Sequence, residues 1–303
     1  MNFVIRSAWL LLALGSACVH AADEGIRIVS WNISDDVFVS EREEFQALMS
    51  RAVPDVLLLD EVAPTADAAE LSKALAGMQH AEGQIWNIEF GTSGGRQRAV
   101  IASLDPLEAL PEFSSIVPYP DADRQYILEQ MPARDRNNRS YSMDHGIPVN
   151  GAVVLTGGRR VLTVITDLQC CGNTPKSWQE FRRRVEAREI RRLVRQVLER
   201  TRVDGIVIAG DFNIVNGAIP LVLLTGPYHS HDTGLIPAEL YHSDGQATWT
   251  WDGRGTPFPS SAIDFQLYSP RPLEMQSGFV LDTESSRTGR HRPLVAEYAW
   301  RSE

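Results

Sequence analysis

The change in strand connections along the chain constrains the fold more than any other feature of the sequence. The apolar runs Ile26–Trp31 and Asp55–Asp60 are typical of buried strands, and Glu41–Arg51 between them has apolar residues at helical spacing. A second helix is predicted over Ala66–Ala76, with Gly77 as its stop signal. The first part of the chain is therefore predicted to alternate strand, helix, strand and helix.

A different kind of connection is predicted in the middle of the chain. Gly151–Thr156 and Arg160–Thr166 flank Gly157-Gly158, a pair that can adopt the positive φ angles of a tight hairpin turn. The remaining predicted elements are a helix from Trp178 to about Arg200 and strands at Gly205–Ala209, Ile263–Tyr268 and Leu294–Ala299. Hairpins combined with strand–helix units favour an α/β fold of mixed sheets packed together under outer helices, rather than a doubly wound parallel sheet.

Composition excludes some classes of protein. The chain has 303 residues, of which 43% are hydrophobic, so most of it can bury a core and is not intrinsically disordered. Acidic residues outnumber basic ones by 39 to 29, which excludes a chain-wide cationic face for nucleic acid but leaves a local basic groove open. No linker, repeat or low-complexity tract divides residues 23–303, and we expect a single domain there.

The first 22 residues have the pattern of a secretory signal peptide. Arg6 precedes an apolar run from Ala8 to Leu14, and small residues follow at Ala21 and Ala22. A retained membrane anchor or a lipidated Cys18 is the alternative. No later segment reaches the roughly 18 apolar residues of a membrane-spanning helix. We therefore expect a secreted or periplasmic protein without a transmembrane segment in its mature chain.

Two neighbouring cysteines, Cys170 and Cys171, remain after removal of the signal peptide. Adjacent Cα atoms lie about 3.8 Å apart, below the usual 4.4–6.8 Å of a disulfide, so a bond between the two would be strained. Two packing thiols are the favoured interpretation, the strained disulfide comes next, and a redox or metal role stays open.

Polar residues at strand ends are the candidate functional residues. Gly210–Asn213 (GDFN) follows an apolar strand, and in an extended segment Asp211 and Asn213 point the same way. One carboxylate and one amide suit a divalent cation and a phosphate oxygen, whereas an Asx turn is the structural alternative. Similar positions are occupied by Asn32, Glu61 and Asp264, and His291 before the last strand is the candidate general base.

The order of these motifs resembles the endonuclease/exonuclease/phosphatase superfamily, of which deoxyribonuclease I is the best-known type. The matching pieces are SWN, an acidic residue after PDVLLL, GDFN, a strand-borne ID and a histidine before the C-terminal strand. They span Ile26 to Tyr298. The resemblance implies a four-layer sandwich of two packed mixed β-sheets flanked by helices, and hydrolysis of phosphate esters with Mg²⁺ or Mn²⁺.

The resemblance also implies roles for individual residues. Glu61 would be the main metal ligand with Asn32 beside it, and Asp264 would complete the site. Asp211 and Asn213 would orient the attacking water and the phosphate. His291 would be the base or a phosphate contact. A hard cation with oxygen ligands and a nearby base are the components that such a hydrolysis needs.

Two positions depart from the family pattern. In VITDL, Asp167 occupies the place of a family histidine, where it can act as an added metal ligand or, if burial raises its pKa, as an acid. In GRH, Arg290 replaces the carboxylate expected to orient His291; it is a candidate phosphate contact but cannot accept a hydrogen bond from the imidazole. His145, before the strand that pairs with the Asp167 strand, is the candidate to supply an imidazole instead; a loop histidine without a role is the alternative.

Other residues are weaker candidates for substrate contacts. Trp249 and Trp251 point the same way if extended and are a candidate platform for a base, sugar or lipid head group, with half-burial in a sheet as the alternative. Arg98 after Gly94-Gly95 is a candidate phosphate contact. The arginine-rich Trp178–Arg200 segment is predicted to be a solvated amphipathic helix.

Two functional hypotheses follow from these residues. The first is an exported metal-dependent phosphoesterase that acts on nucleic acid, a lipid head group or a small phosphoester, with no stable protein partner. The second is a binding protein that keeps the fold but has lost turnover, for which Asp167 and Arg290 are the reasons.

Overall fold

The computed structural model describes residues 25–81, 83–172, 174–228, 234–283 and 288–301. The predicted signal peptide, residues 1–22, lies outside the described residues. The described strands form two six-stranded sheets. Within these residues, no helix combines the length and the apolar character that crossing a membrane requires.

The strands are, in chain order, β1 (Ile26–Asp35), β2 (Val56–Val62), β3 (Asn87–Phe90), β4 (Arg98–Ser103), β5 (Leu107–Ala109), β6 (Val149–Thr156), β7 (Arg159–Asp167), β8 (Gly205–Asp211), β9 (Ile236–Pro237), β10 (Asp264–Tyr268), β11 (Leu273–Val280) and β12 (Leu294–Trp300). The α-helices are α1 (Val37–Ser40), α2 (Arg42–Ala52), α3 (Ala68–Ala74), α4 (Asp121–Gln130), α5 (Ala133–Arg136), α6 (Trp178–Arg200) and α7 (Ile219–Thr225). Short 3₁₀ turns lie at Gly95–Gln97, Pro111–Phe113 and Arg139–Tyr141.

Both sheets mix parallel and antiparallel pairs. The first has the order β11-β12-β1-β2-β4-β3, and only β1 and β2, which are joined through α1 and α2, run parallel. The second has the order β5-β6-β7-β8-β10-β9, and its parallel pair β7 and β8 is joined through α6. Parallel neighbours need such crossovers, whereas β6 and β7 meet in a hairpin at Gly157 and Gly158, with φ angles of 56° and 73°.

The two sheets pack face to face through one apolar layer. Because side chains alternate along a strand, Ile26 and Ile28 of β1 face this layer, as do Val207 and Ala209 of β8. The opposite faces of the sheets are covered by α1–α3 on one side and by α4, α6 and α7 on the other. The expected two-sheet sandwich with outer helices is confirmed.

The predicted elements are all present, with shifted ends. β1, β2 and β8 extend beyond their predicted ends and include Asn32, Glu61 and Asp211. Strands β3, β4, β5, β9 and β11 were not anticipated from the sequence. Several of them are short, and β11 contains exposed polar residues and a register shift between Met275 and Ser277, so its apolar pattern is weak.

The prediction that α6 is a solvated amphipathic helix is wrong for its first three turns. Arg182 and Arg183 are each 1% exposed. The Nε of Arg182 donates to Glu186 Oε1 at 2.8 Å and to the hydroxyl of Tyr119 at 2.9 Å, and Tyr119 donates to Glu186 at 2.5 Å. Complementary charges allow this face to be buried, which a pattern based on hydrophobicity alone cannot detect.

Replacing Arg182 with leucine should destabilise the protein by about 3–5 kcal/mol, because Glu186 would remain buried without its cationic partner. Arg195→Leu on an exposed turn of the same helix is the control and should change stability by about 0.5 kcal/mol or less. Urea unfolding followed by circular dichroism measures both. Equal changes in the two variants would contradict a buried ionic network.

Candidate active site

One end of the layer between the sheets is polar. The alternation that directs Ile28, Leu58, Ile165 and Ala209 into the apolar layer directs the polar residues beyond them to the same face. These residues are Asn32 (β1), Asp60 (β2), Asp167 (β7), Asp211 (β8) and Asp264 (β10). Asn32 lies opposite Asp60 in the first sheet, and Asp211 lies between Asp167 and Asp264 in the second. Asn32 Nδ2 is 3.5 Å from Asp211 Oδ2, and this contact connects the polar residues of the first sheet with those of the second.

His291 is held by carboxylates of the second sheet. Its Nδ1 lies 3.0 and 3.1 Å from the two oxygens of Asp264 and 3.8 Å from Asp211 Oδ2. Thr250 Oγ1 donates to Asp264 Oδ2 at 2.6 Å and fixes that carboxylate. Nδ1 therefore faces Asp264, and Nε2 is the ring nitrogen turned away from it.

The expectation that Arg290 leaves His291 without an orienting carboxylate is wrong, because Asp264 supplies one from a different strand. Arg290 itself donates to the carbonyl oxygens of Asp252 and Arg254 at 3.0 and 2.9 Å. The sequence predicts Asp264 as part of the metal site, whereas its oxygens already face His291 and Thr250. The pairing could not be found from local motifs, because Asp264 and His291 are 27 residues apart.

The charge state of His291 follows from this environment. Burial alone would lower the pKa of the imidazole, but the charge and hydrogen bond of Asp264, with further attraction from Asp211 and Glu61, raise it to about 10. This environment favours the imidazolium form of His291. In this state it can donate a hydrogen bond or a proton from Nε2, but it cannot accept a proton.

Asp167 and Asn213 contact each other at the ends of β7 and β8. Asn213 Nδ2 lies 3.3 Å from Asp167 Oδ1 and donates to the carbonyl oxygen of Leu168 at 2.8 Å. Gln97 donates to the other oxygen of Asp167. The backbone N–H of Asn213, which has a φ of 49°, also donates to Asp211 Oδ1 at 2.9 Å, so the Asx turn is present and leaves Asp211 Oδ2 directed at the site.

Asp60 is a buried carboxylate that the sequence analysis missed. It is fully buried, and neither of its oxygens has a hydrogen-bond partner among the described residues. Burial, followed by repulsion from Asp211, Asp264 and Glu61, raises its pKa well above the ordinary value. The signal for it was the period of two in β2, which places Asp60 on the same face as Leu58.

Glu61 lies next to this cluster because the backbone turns at its position. Its φ of 52° lies in the left-handed region, and the pairing of β2 with β4 shifts register between Leu59 and Val62. Its charge is among the causes that raise the pKa of Asp167, after burial, and that of Asp60 and Asp211. The predicted metal ligand therefore lies beside the buried carboxylates.

The donor set fits a hard divalent cation. Neither oxygen of Asp60 has a described partner, and burial followed by repulsion between neighbouring carboxylates raises the pKa of Asp60, Asp167 and Asp211. A cation bound there would favour their ionised, ligating form. Asp211, Asp264 and His291 also offer ligand atoms within 4.8 Å of one another. Oxygen ligands of this kind are those that Mg²⁺ and Mn²⁺ prefer.

The described contacts of two other predicted residues, His145 and Arg98, do not include the carboxylates of this cluster. His145 is exposed, and its ring lies against Gly95, two residues before Gln97. Arg98 donates to the carbonyl oxygens of Ala63 and Ala66 at 2.7 and 2.6 Å, and so supports the loop after β2.

The two tryptophans do not form an open platform. Trp249 is half-buried, with its ring centroid 4.1 Å from that of His242 and the guanidinium of Arg292 5.4 Å from it. Trp251 is half-buried as well and pairs through its backbone with Ser261 and His291. The structure thus corresponds to the half-buried alternative for both side chains.

Comparison with known proteins agrees with this architecture. The profile of the Endonuclease/Exonuclease/phosphatase family matches residues 29–289. No curated protein matched the sequence significantly. Similar solved structures include the human Nocturnin catalytic domain with bound sulfate anion, at 15% identity and a TM-score of 0.58, covering 92% of this chain and 94% of that one. Truncated Caenorhabditis elegans TDP2 has 16% identity and a TM-score of 0.60, with 91% and 98% covered.

A third similar structure is an endonuclease/exonuclease/phosphatase from Bacteroides vulgatus, with 15% identity, a TM-score of 0.58 and coverage of 91% of this chain and 99% of that one. At these identities the structures establish the shared fold, and the profile match establishes the family. The chain belongs to the Endonuclease/Exonuclease/phosphatase family and is classed with it as a hydrolase of phosphate ester bonds.

Replacing Asp264 with asparagine should lower the pKa of His291, because the largest influence that raises it is removed while burial, which lowers it, remains. The imidazole titration can be followed by NMR in protein freed of metal with a chelator. The ring signals of His242, which contacts Asp282 away from the substitution, serve as the internal control and should keep their wild-type positions. An unchanged pKa of His291 would contradict the assigned pairing.

Proposed function

We propose that this chain is an exported phosphoesterase that depends on a divalent metal and hydrolyses a phosphodiester or phosphomonoester by in-line attack of water. Family membership supports the reaction class. The observation that carries the proposal is the convergence of buried carboxylates with a paired imidazolium at one end of the two sheets. The signal-peptide pattern of residues 1–22 supports export.

Glu61 and Asn32, with the unpartnered oxygens of Asp60 nearby, would hold the Mg²⁺ or Mn²⁺ ion. A bound cation of this kind supplies positive charge next to the phosphoryl oxygens and stabilises the charge that develops on them. Asp60 is added to the residues predicted from the sequence because its carboxylate has no other described partner.

Phosphate contact and proton transfer are assigned to side chains of this chain. His291, kept protonated by Asp264, donates from Nε2 to a phosphoryl oxygen. Asp211, whose Oδ2 is directed at the site and whose ionised form is favoured by the charge of protonated His291, accepts a proton from the attacking water. Asn213 and Gln97 hold Asp167 in place, and its raised pKa allows it to act as a proton donor. His291 therefore serves as the phosphate contact rather than the base.

The proposed substrate class is a phosphate ester. Nucleic acid, lipid head groups and small phosphoesters all fit the chemistry. A similar structure, D. rerio TDP2, was determined in complex with a single-strand DNA product, which supports including oligonucleotides among the test substrates. The acidic balance of the chain argues against a processive nucleic-acid enzyme.

The binding-protein alternative has lost one of its two reasons. Asp264 provides the carboxylate that Arg290 was expected to remove, so only Asp167 still departs from the pattern. A substitution of Asp211 separates the two hypotheses. Loss of its carboxylate would remove turnover from an enzyme but leave binding by a catalytically inactive protein intact.

Replacing Asp211 with asparagine should reduce kcat/KM by about 10²- to 10³-fold, because a group that acts on the attacking water is lost. The assay uses phosphodiester, phosphomonoester and oligonucleotide substrates with Mg²⁺ or Mn²⁺, and a chelator should stop release. Glu129→Gln on the exposed face of α4 is the control and should retain full activity. Folded protein without metal-dependent release on any substrate would overturn the proposal.

Replacing Asp60 with asparagine should weaken binding of the divalent cation by about tenfold or more, because one source of negative charge at the site is removed. The measurement is the rise in Tm as Mn²⁺ is added to metal-free protein. Wild type and Glu129→Gln should respond at the same concentrations, and Asp60→Asn only at higher ones. Identical curves for all three proteins would remove Asp60 from the site.

A further inference from the structure

The vicinal cysteines lie close to the candidate active site and have no part in the mechanism above. Cys170 and Cys171 follow Asp167 by three and four residues, in the segment between β7 and α6. Both thiols are free, and their sulfur atoms are in direct contact at 2.8 Å. Cys171 is exposed and Cys170 is half-buried, so solvent reaches the pair from one side.

The two thiols differ in reactivity. The hydrogen bond between the two thiols and the charge of Arg183 outweigh burial and lower the pKa of Cys171 to about 7. The same hydrogen bond and burial raise the pKa of Cys170. Cys171 is thus the more nucleophilic partner near neutral pH, and Cys170 is positioned to attack a disulfide formed on it.

The cysteine segment is fixed to buried groups on both sides. Arg183 Nη1 donates to the carbonyl oxygens of Gln169 and Cys171 at 2.8 and 2.6 Å, and Glu186 accepts from the backbone N–H of Gln169 at 2.7 Å. On the other side, Leu168 accepts from Asn213, which also contacts Asp167. A change in the backbone at the cysteines therefore reaches the active-site residues through one short stretch of chain.

Closing a disulfide between neighbouring residues requires such a change. Their Cα atoms are about 3.8 Å apart, closer than in ordinary disulfides, so the ring formed is strained and easily reduced again. Cys171 already has a φ of 68°, in the left-handed region, where a side chain is costly. The pair therefore has the features of a labile disulfide rather than a structural one.

We propose that Cys170 and Cys171 form a reversible disulfide by exchange with a small-molecule disulfide, and that this modification lowers the activity of the neighbouring site. The Cys171 thiolate attacks one sulfur of the small disulfide, which gives a mixed disulfide and releases one small thiolate. This thiolate takes the proton of Cys170. The Cys170 sulfur then attacks Cys171 Sγ and expels the second thiolate, which is protonated by solvent; two cysteines are oxidised and one disulfide is reduced to two thiols.

The test places the purified protein in buffers of oxidised and reduced glutathione. The internal disulfide should appear as a mass decrease of two hydrogen atoms and the loss of both reactive thiols, and a dithiol-specific arsenical should bind only the reduced form. Cys170→Ser and Cys171→Ser should fail to form it. A stable glutathione adduct on the wild type without ring closure would overturn the proposed modification.

The effect on activity rests on the proposed function. Oxidation of the wild type should lower kcat/KM by about tenfold, an effect expected when a small displacement reaches positioned groups, and excess thiol should restore it. Cys171→Ser, which lacks the attacking thiol, should keep the reduced wild-type activity under both conditions. A disulfide that forms without changing kcat/KM would overturn the coupling. If the reduced protein shows no hydrolysis, the proposed function fails, while mass and thiol content still decide the modification.

Discussion

The burial of neighbouring carboxylates at one end of the two sheets, together with their mutual repulsion, is the constraint on which the site depends. Asp60, Asp167 and Asp211 are placed there by strands that also build the apolar layer, so the protein cannot move them apart without losing core contacts. Burial and repulsion raise the pKa of all three. Because burial and repulsion favour the neutral acids, these groups ionise together only with a balancing positive charge, which His291 supplies in part and a bound cation would complete.

A second buried charge network supports the site from behind. Arg183 and Glu186 of α6 hold the backbone of Gln169, and the following cysteines lie in the same segment. Through Leu168 this segment meets Asn213, which connects the ends of β7 and β8. The arginine-rich helix thus acts on the site through loop geometry, and its most buried arginines are occupied by protein groups rather than available to a substrate.

The parts of this structure that depend on local sequence patterns were predicted from the sequence. The hairpin at Gly157 and the strand before Asp211 follow from turn chemistry and apolar runs, and the order of motifs indicated the fold. Contacts between distant segments were not predictable in this way. Asp60 was hidden in an apolar run, Asp264 meets His291 only in three dimensions, and the burial of Arg182 depends on Tyr119, far away in the chain.

The protonation of His291 and the occupation of the carboxylate cluster are linked. The pKa of His291 is raised by Asp264, Asp211 and Glu61, and these charges are also the ones that attract a cation. A cation bound to the cluster would offset part of this attraction and lower the pKa of His291, and protonated His291 would weaken cation binding by the same factor. Asp264 limits this competition because it faces His291 directly and Thr250 fixes its position. The imidazolium is therefore maintained by its nearest carboxylate, while the more distant ones remain available to the metal.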